Sequence, residues 1–134
     1  MNTKKIVIPI LFSLVIGMTI FSCTYEKGKI TKECILPATV SFSQDIQPIF
    51  NTQCSIPGCH TSAAHAGSLN LDAASAYSQL MHPGTGYIDT LNPTFSLLYS
   101  KLITVSDPMP PTGNLDDCKI KLVLKWIEQK AKNN

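Results

Sequence analysis

The sequence of 134 residues predicts an all-α fold in which short helices form one small domain. Two observations favour this class. Apolar residues recur at helical spacing in several short segments, and clusters of proline and glycine separate these segments. In addition, residues 115–132 carry a broad apolar stripe with lysines on the opposite side, which is typical of a helix that packs against more than one neighbour.

The first residues are typical of an export signal. Residues 1–22 combine a basic start, an apolar core and a small residue at the end. The apolar run is shorter than the roughly 20 residues of a membrane span. Residues 20–23 (IFSC) resemble a bacterial lipobox, which implies cleavage before Cys23 and lipidation of its thiol. The alternative is an ordinary signal peptide followed by a chance cysteine. We expect an exported protein that is lipid-anchored to a bacterial membrane, facing the periplasm or the cell surface.

The charge balance of the exported part excludes one class of partner. Two of the 11 basic residues lie in the signal peptide, and the remaining lysines match the 9 acidic residues, with no arginine in the chain. Nucleic-acid binding would require a basic surface and bidentate side chains. We therefore expect no nucleic-acid partner.

Two regions follow the signal peptide. Residues 23–40 mix lysine, glutamate, glycine, threonine and proline without sustained periodicity, so we interpret them as a tether. Residues 41–134 are long enough for one small domain. Its first predicted helix, residues 43–50, places three apolar side chains on one face and Ser43 at the N-cap.

Three further helices are predicted. Residues 73–81 follow Asp72 as a capping residue, and residues 94–103 follow a proline. Residues 106–113 contain three prolines around Met109, which fix an extended backbone there. The helix at residues 115–132 has the strongest pattern of the four.

The motif with the most specific chemistry is CSIPGCH at residues 54–60. Two cysteines closed by a histidine are typical of covalent attachment of c-type haem, although the usual spacing has two residues between the cysteines rather than four. In that interpretation Cys54 and Cys59 each add to one haem vinyl group, and His60 becomes the proximal iron ligand. The additional residues, Pro57 and Gly58, would bulge outward so that both sulfurs still reach the haem.

The second axial position of such a haem takes a thioether or another imidazole. Met109 is the favoured distal ligand, because its proline-rich loop presents the side chain without letting it pack into a helix. Met81, His82 and His65 stay open as alternatives.

These residues carry a family resemblance that covers most of residues 41–134. DIQPIF at 45–50, the motif at 54–60, LNL at 69–71, SLLY at 96–99, MPP at 109–111 and WI at 126–127 occur in the same order in small class I cytochrome c domains of exported bacterial lipoproteins. The chain is similar to these domains. The resemblance implies a bundle of short helices wrapped around one covalent haem c, with His60 proximal and Met109 distal. It also implies that the protein is an electron carrier rather than an enzyme. We expect a monomer that contacts other redox proteins transiently.

Three alternatives remain open. Cys54, Cys59, His60 and His65 could bind a structural zinc ion. Cys54 and Cys59 could instead form a local disulfide in a structural or interaction lipoprotein. A haem with a labile sixth ligand could act as a sensor or peroxidase, although such catalysis would need distal acid–base groups.

Two cysteines remain after these assignments, Cys34 and Cys118. The oxidising compartment outside the cytosol favours a disulfide between them. The alternative is a pair of buried free thiols.

Overall fold

The computed structural model describes residues 33–113 and 115–134, and in these residues it contains four short α-helices, two 3₁₀ turns and one π-helical turn. We number the helices α1 to α4. A π-helical turn at Phe42–Ile46 leads into α1, and 3₁₀ turns precede α2 and α3. No strand occurs in the described residues, so the all-α class is confirmed at this level. The helices are α1 (Gln47–Gln53), α2 (Ala76–Leu80), α3 (Leu97–Ile103) and α4 (Asp117–Glu128), and the 3₁₀ turns are Ala66–Ser68 and Pro93–Phe95.

The predicted signal peptide (1–22), the lipidation site Cys23 and the tether up to residue 32 lie outside the described residues. Residues Cys34–Asn134 form one compact unit. Residues 34–40, assigned to the tether, therefore belong to this unit: the backbone N–H of Val40 donates to Gln129 Oε1 (2.9 Å), and Gln129 Nε2 donates to the carbonyl of Ala38 (2.7 Å). Within residues 33–113 and 115–134, no helix has both the length and the apolar character needed to cross a membrane.

The start of the first helical segment differs from the prediction. Ser41, rather than Ser43, is the N-cap, and its hydroxyl accepts from the backbone N–H of Gln44 (3.2 Å). In turn, the carboxylate of Asp45 accepts from the backbone N–H of Ser41 (2.7 Å). This reciprocal pairing satisfies two donors that the helix cannot satisfy internally. Pro48 then falls in the first turn of α1.

The core is built around an aromatic cluster. The ring centroid of Phe42 lies 5.2 Å from those of both Tyr77 and Trp126, and 6.3 Å from that of Phe50. Trp126 is fully buried, and its indole N–H donates to the backbone carbonyl of Lys132 (2.9 Å), so burial leaves no unpaired donor. Through these contacts α4 packs against the π-helical turn, and it also contacts α3. The other large apolar side chains that are fully buried are Phe50, Ile46, Leu71, Leu80, Ile127, Val40 and Val123.

The later helices are shorter than their patterns predicted. Asp72 does not cap α2, because its carboxylate accepts hydrogen bonds from Ser55 and Ser62. The predicted helix at residues 94–103 divides at Ser96, whose ψ of 129° is not helical. α4 begins after Asp116, which accepts from the backbone N–H of Cys118 (2.8 Å), and stops at Glu128.

Cys34 and Cys118 lie at disulfide distance, with their Cα atoms 5.4 Å apart. Cys118 is in the first turn of α4. A bridge between these two residues therefore fixes the segment before the domain's first helical turn to the start of its longest helix.

We predict that Phe42→Ala lowers the free energy of unfolding by about 3–5 kcal/mol, because it removes a ring that contacts three other aromatic side chains. Urea unfolding would measure the change. Phe95→Ala is the matched control: Phe95 is 79% exposed, and its removal should change stability by no more than about 0.5 kcal/mol. Equal effects of the two substitutions would contradict the role assigned to Phe42.

Candidate functional site

An open, mainly apolar cavity of about 410 Å³ lies between the end of α1, the loop that follows it, α3 and the proline-rich loop. Its volume falls within the roughly 300–1,000 Å³ of small-molecule and cofactor sites. The loop at residues 54–60 forms one wall. It is called the tether loop below and is distinct from the membrane tether assigned to residues 23–40. The lining residues are Gln53, Cys54, Gly58, Cys59, His60, Ala66, Gly67, Leu69, Leu71, Tyr87, Leu97, Leu98, Lys101, Leu102, Met109, Pro110 and Pro111.

The tether loop is closed by backbone hydrogen bonds. The N–H of Cys54 donates to the carbonyl of Phe50 (2.9 Å) as α1 ends, and the N–H of His60 donates back to the carbonyl of Cys54 (3.1 Å). Gly58 has φ +83°, a region that glycine adopts without steric strain. Pro57 and Gly58 are both exposed. The two additional residues of the motif are therefore accommodated in a closed turn at the surface.

Both cysteines of the motif reach the cavity. Cys54 and Cys59 are half-buried free thiols and line the same wall. Burial, and after it the neighbouring Cys59, raises the pKa of Cys54 to about 11. Cys54 is thus a protonated thiol at neutral pH. Since neither sulfur is bonded to the other, this geometry does not support the local disulfide.

His60 lies in the same wall of the cavity, and a backbone carbonyl orients its ring. Its Nδ1 lies 3.3 Å from the backbone carbonyl of Leu69. With the proton on Nδ1, the ring donates to this carbonyl and Nε2 keeps its lone pair. Histidine ligands of metals are usually oriented by such a bond from the other ring nitrogen. The main chain of His60 is also fixed, because its carbonyl accepts from the N–H of Leu71 (2.7 Å).

Met109 reaches the cavity from a distant part of the sequence. Its backbone N–H donates to the carbonyl of Lys101 in α3 (2.9 Å), which fixes the proline-rich loop against that helix. The three alternative ligands do not line the cavity. Met81 packs against the hydrophobic core, whereas His65 and His82 are exposed.

Zinc binding finds little support in this arrangement. Among residues 33–113 and 115–134, no three His, Cys, Asp or Glu side chains are grouped so that they could hold a metal ion. A haem iron needs only axial ligands from the protein, because the porphyrin supplies its other four. The donor set of two thiols, one imidazole and one thioether in an apolar wall therefore fits a covalent haem better than a bare ion.

Sequence reasoning missed the roles of two residues, one in the cavity wall and one hydrogen-bonded to the tether loop. Lys101 is the one cationic side chain among the described residues that line the cavity, and it pairs with Asp107. Asp72, predicted as a helix cap, accepts instead from the Ser55 hydroxyl and from the backbone N–H of Ser62 (2.7 Å). No local pattern could have indicated either role, because each depends on which loops the fold brings together.

The hydrogen bonds at Asp72 predict a pH-dependent stability. The bond from Ser55, followed by those from Ser62, lowers the pKa of Asp72 in the folded chain. A carboxylate of this kind stabilises the fold above its unfolded pKa of about 3.9, and the contribution disappears as the pH falls through the lower folded pKa. We expect wild type to unfold at higher urea than Asp72→Asn near neutral pH. The difference should shrink towards pH 3 and below, and a difference that does not vary with pH would contradict this.

Comparison with known proteins adds no family to this description. No protein-family model matches the chain, and no curated protein or solved structure is significantly similar to it. The interpretation of the site depends on its own geometry: Cys54, Cys59, His60 and Met109 line one apolar cavity, although the sequence places Met109 far from the others.

Proposed function

We propose that residues 41–134 bind one covalent haem c in the cavity and act as an electron carrier. The observation that supports this best is the common location of four side chains. Cys54, Cys59 and His60 come from one loop and Met109 from another, and all four line a cavity whose exposed wall is mostly carbon. These are the residue types that attach a c-type haem and ligate its iron.

Each of these residues has a distinct role in the proposal. Cys54 and Cys59 would hold the porphyrin through thioether bonds, and His60 would ligate the iron through Nε2. Met109 would supply a second iron ligand from its fixed loop. When bound, the haem supplies an iron that exchanges one electron between Fe(III) and Fe(II). A thioether opposite an imidazole gives a higher reduction potential than two imidazoles.

The cavity walls support this chemistry in two further ways. Leu71, Leu98 and Leu102 would exclude water from the ring, which disfavours the additional charge of the ferric state and raises the potential further. Lys101 also lines the cavity; it pairs with Asp107 in this structure and would exchange that partner for a haem propionate, which would otherwise carry an uncompensated charge next to an apolar wall.

The arrangement favours a carrier over the sensor or peroxidase alternative. Peroxide activation needs an acid–base group close to the open face of the iron. His65 and His82 are exposed and do not line the cavity. Met109, by contrast, lies in the wall and would occupy the sixth coordination site.

We further propose that the protein is exported and held at a bacterial membrane by a lipid on Cys23. Such an anchor would raise its effective concentration near membrane-bound redox partners. Contacts with these partners would be small and transient, as is usual for electron transfer. Leu97 lines the cavity and is 39% exposed, so an edge of the proposed site is accessible to a partner.

The first test is to produce the full chain together with a haem-attachment system. Haem staining on a denaturing gel reports covalent attachment. An absorption spectrum with sharp reduced bands and the weak long-wavelength band of methionine-ligated ferric haem would support the proposal. A colourless protein would overturn it, and metal analysis together with thiol counting would then distinguish zinc from a disulfide.

We predict that His60→Ala abolishes stable low-spin holoprotein, because it removes the proximal ligand. The yield of covalently bound haem per protein would be measured by staining and absorbance. His82→Ala is the matched control, since His82 is exposed and outside the cavity, and it should load haem normally. A normal yield of low-spin haem in His60→Ala would contradict the assignment.

We predict that Met109→Ala keeps its covalent haem but loses the long-wavelength band and binds added imidazole or cyanide. Its reduction potential should fall by on the order of 0.1 V, a fraction of the roughly 0.8 V range that axial ligands control. Redox titration would measure the shift. Met81→Ala removes a methionine outside the cavity and should change neither the spectrum nor the potential. An unchanged Met109→Ala spectrum would exclude Met109 as the ligand.

A further inference from the structure

We propose that residues 69–72, called the brace segment below, position the tether loop so that both thiols can attach to the same haem, with Asp72 as the main positioning residue. This inference rests on the proposed function and concerns how the cofactor is attached. It assigns a role to a segment that touches the tether loop and its flanks at several points but supplies no ligand.

The first contacts fix the histidine end of the loop. The carbonyl of Leu69 lies 3.3 Å from Nδ1 of His60 and orients the ring. The N–H of Leu71 donates to the carbonyl of His60 (2.7 Å) and holds its main chain. Ring and backbone of the same residue are therefore held by the same short segment.

The second contacts connect the two ends of the loop to each other. Asp72 Oδ1 accepts from the hydroxyl of Ser55, directly after Cys54, and Oδ2 accepts from the N–H of Ser62, just beyond His60. A single carboxylate thus spans the segment that contains both thiols. Hydrogen bonds to a charged acceptor are stronger than neutral ones.

The brace segment is itself held firmly. Leu69 and Leu71 are buried in the core, and the backbone N–H of Asp72 donates to Asn70 Oδ1 (2.9 Å). Gln47 in α1 is also buried, and its Nε2 donates to the carbonyl of Leu71 (3.0 Å). The carboxylate of Asp72 therefore projects from a backbone that the core already fixes, so it can impose a geometry on the tether loop.

The attachment chemistry explains why such positioning is needed. In each step a thiol S–H adds across a vinyl C=C: a C–S bond forms to one carbon and the hydrogen goes to the other, so no oxidant is consumed. Two additions to one rigid ring require both sulfurs to be within reach together. A longer loop has more conformations to lose on ordering. Holding reacting groups in place reduces that entropic cost. The brace segment would compensate in this way for the two additional residues.

The test compares variants of the full chain produced with a haem-attachment system. Unfolding, alkylation of free thiols and mass spectrometry count the unreacted cysteines per haem-bearing chain, and the pyridine haemochrome band reports any remaining vinyl group. We expect Asp72→Asn and Ser55→Ala to raise the singly attached fraction at least about threefold over wild type, and Asp72→Glu to restore part of the double attachment.

The chain offers a matched control in Asp89. Its carboxylate accepts from the backbone N–H groups of Leu91 and Asn92, both at 2.8 Å, and it does not line the cavity. Asp89→Asn should attach haem as wild type does. An equal rise in single attachment in Asp89→Asn would reveal general destabilisation and overturn the inference, as would unchanged double attachment in Asp72→Asn.

A second measurement does not depend on loaded haem. In the apoprotein, hydrogen exchange at the amide of His60, which closes the tether loop, should be faster in Asp72→Asn and Ser55→Ala than in wild type. Unchanged exchange in both variants would overturn the inference even for a chain that loads haem. Failure of wild type to stain for haem would instead overturn the proposed function, so the two failures are distinguished.

Discussion

The packing of Phe42 against Trp126 is the contact on which the rest of the structure depends. It brings the π-helical turn near the start of the domain onto the longest helix, near its end. Once these two elements are fixed, the elements joined to them are placed as well, because α1 continues directly from the π-helical turn and α3 contacts α4. The cavity is the space that these elements leave between them.

The hydrophobic core and the cavity share several residues. Leu69, Leu71 and Leu102 belong to the buried core and also line the cavity. A domain of this size buries a modest fraction of its surface and has little stability to spare. An apolar cofactor in the cavity would continue the core outward, and its covalent attachment would make that contribution permanent. The proposed haem would therefore be a structural element as well as a redox centre.

Sequence reasoning succeeded where the determining forces are local. Helical periodicity located all four α-helices, and the proline cluster around Met109 correctly indicated a non-helical loop. It failed where a side chain had several suitable partners. Asp72 is chemically able to cap a helix, yet Ser55 and Ser62 compete for it from loops that only the tertiary fold brings close. The same reason explains Lys101, whose position in the cavity wall depends on how α3 is rotated.

The pairing of Cys34 with Cys118 has a mechanical consequence. If the two cysteines are bridged, a force on the chain before Cys34 is transmitted to the first turn of α4. Among the described residues, none from α4 lines the cavity. The bridge therefore directs part of such a force into α4, whose described residues do not line the cavity. If the proposed lipid anchor and haem are present, a force on the anchor would therefore reach a helix whose described residues form no part of the haem site.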